Sequence, residues 1–330
     1  MAEDGLASLP LVAGLFRQSS WGRQSPQDFT WFEILLPYEN FDGLQSEGVA
    51  DTMALENHSR ELDIARSVAA QAGVVLLEYQ QRGFTIREKG TSDLVSEADV
   101  SAEKLILDCL GEAFPDHVVL AEESRTELQG TSIPEHLWVV DPLDGTTNFA
   151  HGIPHFAVSI AYYRNGAAEC GVVYNPARND WYIVARGAGA WFQNERMQVG
   201  SQQTLTDCLV GLGFYYDRGT MMEATLATIH QLFQTGIHGI RRFGTAALDL
   251  AHVARGFYGA YFEYQLSPWD FAAGRLLVEE AGGRVTTASG EELGLCKGSV
   301  LASNGFLHPK MLEIIQQTAG QLFCSGASPQ

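Results

Sequence analysis

Residues 138–149 read Trp-Val-Val-Asp-Pro-Leu-Asp-Gly-Thr-Thr-Asn-Phe, and no other stretch constrains the chain as strongly. Three apolar residues, Trp138, Val139 and Val140, predict a buried strand that delivers Asp141 at its end. Pro142 stiffens the exit. Asp144 follows three residues on, and Gly145 permits a tight turn. Thr146 and Thr147 then open a short helix, which Gly152 and Pro154 stop. Two carboxylates therefore share one turn beside the free N–H groups of a helix start. Hard divalent cations such as Mg²⁺ take oxygen ligands, and helix N-termini attract phosphate. The same short segment offers both.

Charge makes the cation matter. The 330 residues carry 21 Lys+Arg against 40 Asp+Glu, a net charge of −19, and are 45% hydrophobic. The apolar fraction excludes wholesale disorder and fits one large domain or two packed ones. The acidic excess opposes wrapping on nucleic acid or lying on an anionic membrane, so neither is expected as a partner. Phosphate binding stays open only if something local reverses the sign. No apolar run of about 18 residues predicts a membrane span, and the acidic start Met1-Ala-Glu-Asp-Gly is unlike a secretory signal. Cys109, Cys170, Cys208, Cys296 and Cys324 are scattered, with no CxxC pair. Reduced thiols and a cytoplasmic location are expected.

Residues 1–57 hold nine acidic and two basic residues without sustained periodicity. They read as a weakly ordered or spurious N-terminal extension, or as a docking arm anchored by Trp21, Trp31 and Phe32. From Ser59, a reasonable N-cap, apolar residues recur at helical steps through Tyr79. A second helix is expected over 100–113. Strands are expected at 118–120, 137–140, 156–163, 168–174, 181–184, 208–212, 260–263, 285–287 and 299–302. Helices are expected at 220–233, 245–254, 269–281 and 309–321. Turns at Asn175-Pro176 and 178–180 predict antiparallel hairpins. The mixture lacks the regular alternation of a doubly wound sheet.

Further carboxylates punctuate this order. Glu122-Glu123-Ser124 follows the strand at 118–120. Asp270 follows Trp269 at a helix start, and Asp99 ends the run Asp-Leu-Val-Ser-Glu-Ala-Asp (93–99), which opens another helix. Two carboxylates about 4 Å apart repel by roughly 4 kcal/mol at an effective dielectric near 20, so a cluster of four calls for a cation. Singly, each has an ordinary reading. Asp-Pro and Asp-Gly make turns, Glu-Glu-Ser suits a solvated surface, and Asp270 suits a helix macrodipole. No HExxH or paired spacing joins His151, His155 and His252; His155 reads as a satisfied structural residue. Gly187-Ala-Gly189 reads as a hairpin turn. Arg241-Arg242 reads as a phosphate clamp or as interface or surface charge.

Together, these segments resemble the inositol monophosphatase family of metal-dependent, lithium-sensitive phosphatases. The resemblance rests on residues 93–99, 121–124 and 140–149, and continues in 154–160, 244–247, 268–274 and 279–283. It spans about residues 58–320, and the bacterial extragenic-suppressor branch is especially close around 268–283. The fold it implies is α/β (α+β), a layered αβαβα sandwich shared with fructose-1,6-bisphosphatases. A phosphatase domain over 58–325, commonly a homodimer, is expected.

Residue roles follow from the same resemblance. Glu122, Asp141 and the Leu143 carbonyl would hold one Mg²⁺. Asp141, Asp144 and Asp270 would hold a second, with Glu122 helping a third through water. Gly145 and Thr146 would offer N–H groups to the phosphate. Thr146, paired with Asp99, would activate the attacking water. Asp144, Gly244, Thr245, Ala246, Glu263 and Asp270 would line the polyol pocket, and Lys89 would lie near the phosphate. Ser267 stands where relatives often carry histidine or arginine. Tyr261, Tyr264 and Gln265 would make the rim more aromatic. The expected activity is phosphoric monoester hydrolysis of a small phosphorylated polyol, myo-inositol 1-phosphate first. The alternatives are a sibling fructose-1,6-bisphosphatase, histidinol-phosphatase or adenosine-bisphosphate phosphatase, and a protein-binding scaffold that retains the site.

Overall fold

The computed structural model describes residues 60–90, 93–124 and 133–324. The segment 1–57, the N-cap at Ser59 and the side chain of Lys89 lie outside the described residues. In chain order the elements are α1 (Arg60–Arg82), β1 (Ile86–Gly90), β2 (Asp93–Ser96), α2 (Glu97–Ala113), β3 (Val118–Ala121), β4 (His136–Asp144), α3 (Thr146–Ala150), β5 (Ala157–Arg164) and β6 (Ala167–Asn175). Then come β7 (Asp180–Ala185), β8 (Gly189–Phe192), β9 (Glu195–Arg196), β10 (Leu209–Leu212), α4 (Thr220–Thr235), β11 (Gly239–Arg241), α5 (Ala246–Ala254), β12 (Ala260–Leu266), α6 (Pro268–Glu280), β13 (Arg284–Thr286), β14 (Gly298–Ser303) and α7 (His308–Cys324).

Five layers result. A seven-stranded sheet runs β3-β4-β5-β6-β7-β8-β9, and a five-stranded sheet runs β11-β10-β12-β14-β13. α1 and α2 cover one face of the larger sheet, α5 and α6 fill the space between the sheets, and α4 and α7 cover the far face of the smaller one. This is the expected αβαβα sandwich. β4 shows why it holds. Leu137 and Val139 enter the core shared with α5 and α6, whereas Trp138 and Val140 enter the core beneath α1 and α2. A strand buried on both faces reads as a continuous apolar run. Among the described residues no helix is long and apolar enough to cross a membrane.

The expected strands and helices are all present. The β1–β2 hairpin, β8, β9 and β11 were not legible. Several boundaries differ from expectation: the strand expected at 137–140 runs on to Asp144, the one at 260–263 runs on to Leu266, and residues 93–96 form β2 rather than the start of a helix. α2 begins at Glu97 because Ser96 is its N-cap in a capping box with Asp99.

Strand direction positions the site. β3 runs parallel to β4, and β10 runs parallel to both β11 and β12. The other pairings are antiparallel, including β6 with β7 as the turns predicted. Ligand crevices form at the carboxyl ends of parallel strands. Glu122 follows β3, Asp141–Asp144 ends β4, and Ser267–Asp270 follows β12.

Candidate active site

A cavity of about 680 Å³ opens at these strand ends. Its wall includes Glu122, Asp141, Leu143, Asp144, Gly145, Thr146, Gly244, Thr245, Ala246, Glu263 and Asp270. Asp99 is not part of the wall but touches it through Thr146.

The β4–α3 corner is built around Gly145. Its φ of +94° is a left-handed conformation, and a Cβ there would lie 2.7 Å from Thr245 Cγ2. Only glycine fits both constraints. Beyond it, Thr146 Oγ1 lies 3.0 Å from Asp99 Oδ1, to which it donates, and 3.2 Å from the Leu143 carbonyl. Asp99 is buried, and its Oδ2 accepts the Ser96 N–H at 2.9 Å and the Ser96 hydroxyl. Burial raises its pKa against the pull of these hydrogen bonds.

The other carboxylates each give one oxygen to the backbone. Asp141 Oδ1 accepts the Leu143 N–H at 3.0 Å, and Asp144 Oδ2 accepts the Ala247 N–H at 2.7 Å. Asp270 Oδ2 accepts the Ser267 N–H at 2.6 Å. Asp141 is pushed well above the ordinary carboxylate pKa by burial first, then by Glu122, Asp144 and Asp270. Asp144 is pushed the same way by burial and by Asp270, against the Ala247 N–H.

Among the described residues, no three His, Cys, Asp or Glu side chains converge into a ready-formed metal cluster. The carboxylates share one wall instead of one point. The donor set still suits a hard cation: it is all oxygen, and its mutually repelling charges, with Asp141 and Asp144 buried, are what a divalent ion relieves.

A sequence profile of the inositol monophosphatase family matches residues 57–319. The chain belongs to the inositol monophosphatase family. It is 43% identical over 230 residues to inositol-1-monophosphatase from Rhizobium meliloti, covering 69% of this chain and 85% of that protein. It is 40% identical over 260 residues to Nus factor SuhB from Pseudomonas aeruginosa, covering 77% and 95%. The solved structure of extragenic suppressor protein suhB from Bartonella henselae superposes with a TM-score of 0.72 at 37% identity, covering 78% of this chain and 99% of that one.

In this member of the family the structure departs from expectation at several residues. Tyr264 is not on the rim. Residues alternate along β12, so Tyr261, Glu263 and Gln265 line the cavity while Tyr264 joins the far core and hydrogen-bonds Thr228. Arg242 lines the cavity; Arg241 does not, and its guanidinium donates to the Ile240 carbonyl. His155 is not satisfied: its Nε2 is buried without a partner, and burial lowers its pKa to about 4. Gly187 and Gly189 do turn β7 into β8.

Sequence reasoning missed Asp249, the loop 213–216 and Lys297, which also line the cavity. The loop had one signal, its place directly after the strand expected at 208–212; that this strand is parallel to β11 and β12 only the structure shows. Gly213 belongs to that loop because Glu263 occupies the space a Cβ would take. Asp249 and Lys297 carried no local signal.

Proposed function

We propose that the chain is a Mg²⁺-dependent phosphomonoesterase acting on a small polyol phosphate, with myo-inositol 1-phosphate the first choice. The observation that carries this reading is the pair Asp141 and Asp144, buried and raised together on a cavity wall that also holds Thr146, whose hydroxyl donates to a third buried aspartate, Asp99. Two or three Mg²⁺ ions, held by Glu122, Asp141, the Leu143 carbonyl, Asp144 and Asp270, would supply charge neutralisation and Lewis acidity toward water and phosphoryl oxygens.

The chain's own groups do the rest. Gly145 and Thr146 direct N–H groups at phosphate oxygens. Asp99 takes the Thr146 proton in a hydrogen bond, so the hydroxyl's lone pairs are free to accept from the attacking water. Ser96 fixes Asp99 and hence the direction of that acceptor. Asp144, Gly244, Thr245, Ala246, Glu263 and Asp270 receive the polyol. Glu263 is pushed up to about 7 by burial, opposed by the Tyr261 hydroxyl and Arg242. Lithium sensitivity, a homodimer and a cytoplasmic location complete the proposal. Cys109, Cys170, Cys208 and Cys296 are free thiols, which supports the last.

A phosphate-release panel tests it, with and without Mg²⁺ and Li⁺. Inositol 1-phosphate should be hydrolysed fastest, only with Mg²⁺, and Li⁺ should inhibit. Faster release from fructose 1,6-bisphosphate, histidinol phosphate or an adenosine bisphosphate would overturn the substrate choice. The relative named Nus factor SuhB supports a second reading, a protein-binding scaffold that retains the site. Asp144→Asn should stay folded and lose turnover. A cellular phenotype that survives this substitution favours the scaffold.

A further inference from the structure

The cavity has a second acidic wall that the metal-ligand set leaves unused. Asp249 lies in the first turn of α5, is only 1% exposed, and lines the cavity with Glu263 of β12. Asp249 Oδ1 accepts the Tyr258 hydroxyl at 3.2 Å, and that hydroxyl lies 3.3 Å from His252 Nδ1. Glu263 Oε2 accepts the Tyr261 hydroxyl at 2.7 Å. One oxygen of each carboxyl is thus tied to a tyrosine, and the other stays outside these bonds. Thr245, on the same wall, has its Oγ1 buried without a partner. Burial raises both carboxyls above the ordinary carboxylate range, Glu263 adds to the rise at Asp249, and Arg242 at the mouth offsets both.

The buried Thr245 hydroxyl is costly without a partner. A wall this rich in acceptors suits a ligand rich in donors, and alcohol hydroxyls are donors. It repels a second phosphate. Glu263 already receives one hydroxyl in the phosphomonoesterase reading, on which this inference rests.

We infer that Asp249 is a specificity-determining residue that accepts a second hydroxyl of the leaving alcohol, so the site selects esters of alcohols bearing several free hydroxyls over esters of bare alcohols. Tyr258 is the positioning residue that orients the Asp249 carboxyl, with His252 behind it.

The test compares kcat/KM for myo-inositol 1-phosphate and cyclohexyl phosphate, which has the same ring without hydroxyls. Wild type, Asp249→Asn and Tyr258→Phe are assayed with Mg²⁺. Asparagine keeps the shape, gives its oxygen to Tyr258 and presents N–H groups to the cavity, replacing an acceptor with donors. The inositol-to-cyclohexyl ratio should fall about tenfold in Asp249→Asn, mainly through KM. Tyr258→Phe should lower it by a smaller factor, about threefold. An equal change for both esters in Asp249→Asn overturns the inference. If that variant does not fold, an unchanged ratio in Tyr258→Phe overturns it. A wild type inactive on both esters brings down the phosphomonoesterase reading and this inference together; an active wild type with unchanged ratios sinks the inference alone.

Discussion

Asp99 and Asp270 occupy the same place in the same local motif, the third residue of a helix whose N-cap is a serine. Each gives one carboxylate oxygen to its N-cap N–H, at 2.9 Å for Asp99 and 2.6 Å for Asp270. Their second neighbours differ completely. Asp99 faces hydroxyls, those of Ser96 and Thr146. Asp270 faces carboxylates, and its charge helps raise Asp141 and Asp144. The capping box explains why an aspartate is held rigidly at each position. Only the element brought across from it decides the work proposed for it: orienting a hydroxyl for Asp99, holding a cation for Asp270.

Replacing each aspartate by asparagine breaks the comparison most sharply. Asp270→Asn removes a charge from the proposed metal-ligand set and should lower kcat/KM for the polyol phosphate by about 10³-fold, measured by phosphate release. Asp99→Asn keeps an oxygen for Thr146 and should cost less, about 10²-fold, in the same assay. Equal losses would erase the distinction.

A pH experiment sharpens the Asp270 side. Burial and neighbouring carboxylates raise Asp141 and Asp144 above the reference value of 3.8. A raised folded-state pKa means that protonation favours the fold. That stabilisation is fully present below 3.8 and is lost as pH rises through the raised values. Glu263, raised to about 7, adds a loss of the same sign near neutrality. Metal-free protein in EDTA should therefore melt at a higher temperature at pH 5 than at pH 8, and Mg²⁺ should narrow the gap. A flat profile would show that the charges are not in conflict. The smallest effect belongs to the cap: Ser96→Ala should cost about 1 kcal/mol of stability in denaturant unfolding and lower kcat with it, because Asp99 keeps the Ser96 N–H but loses the Ser96 hydroxyl.

Much of this site was legible because its chemistry is local. The strand, turn and helix start at 138–149 carry two carboxylates and two N–H donors within one corner. Ser96 with Asp99, and Ser267 with Asp270, carry a capping spacing that is equally local but went unread. The five layers came from the resemblance, since helix and strand order alone did not specify them. What stayed hidden depends on approach across the chain. Asp249 sits in a helix whose apolar period says nothing of a cavity, and Tyr258, its partner, is nine residues on. Tyr264 was misplaced because a strand's faces alternate, and the residue chosen for the rim was one step off that period. Arg241 and Arg242 are adjacent, yet only one reaches the cavity, a choice made by where β11 ends.

The most direct measurement is the rate of phosphate release from myo-inositol 1-phosphate against Mg²⁺ concentration for wild type, Asp270→Asn and Asp99→Asn. The account predicts saturable Mg²⁺ dependence in wild type. It predicts a Mg²⁺ midpoint raised about tenfold or more in Asp270→Asn, and an unmoved midpoint with a lower plateau in Asp99→Asn. Release that needs no metal, or an Asp270→Asn curve that loses plateau without shifting its midpoint, would contradict it.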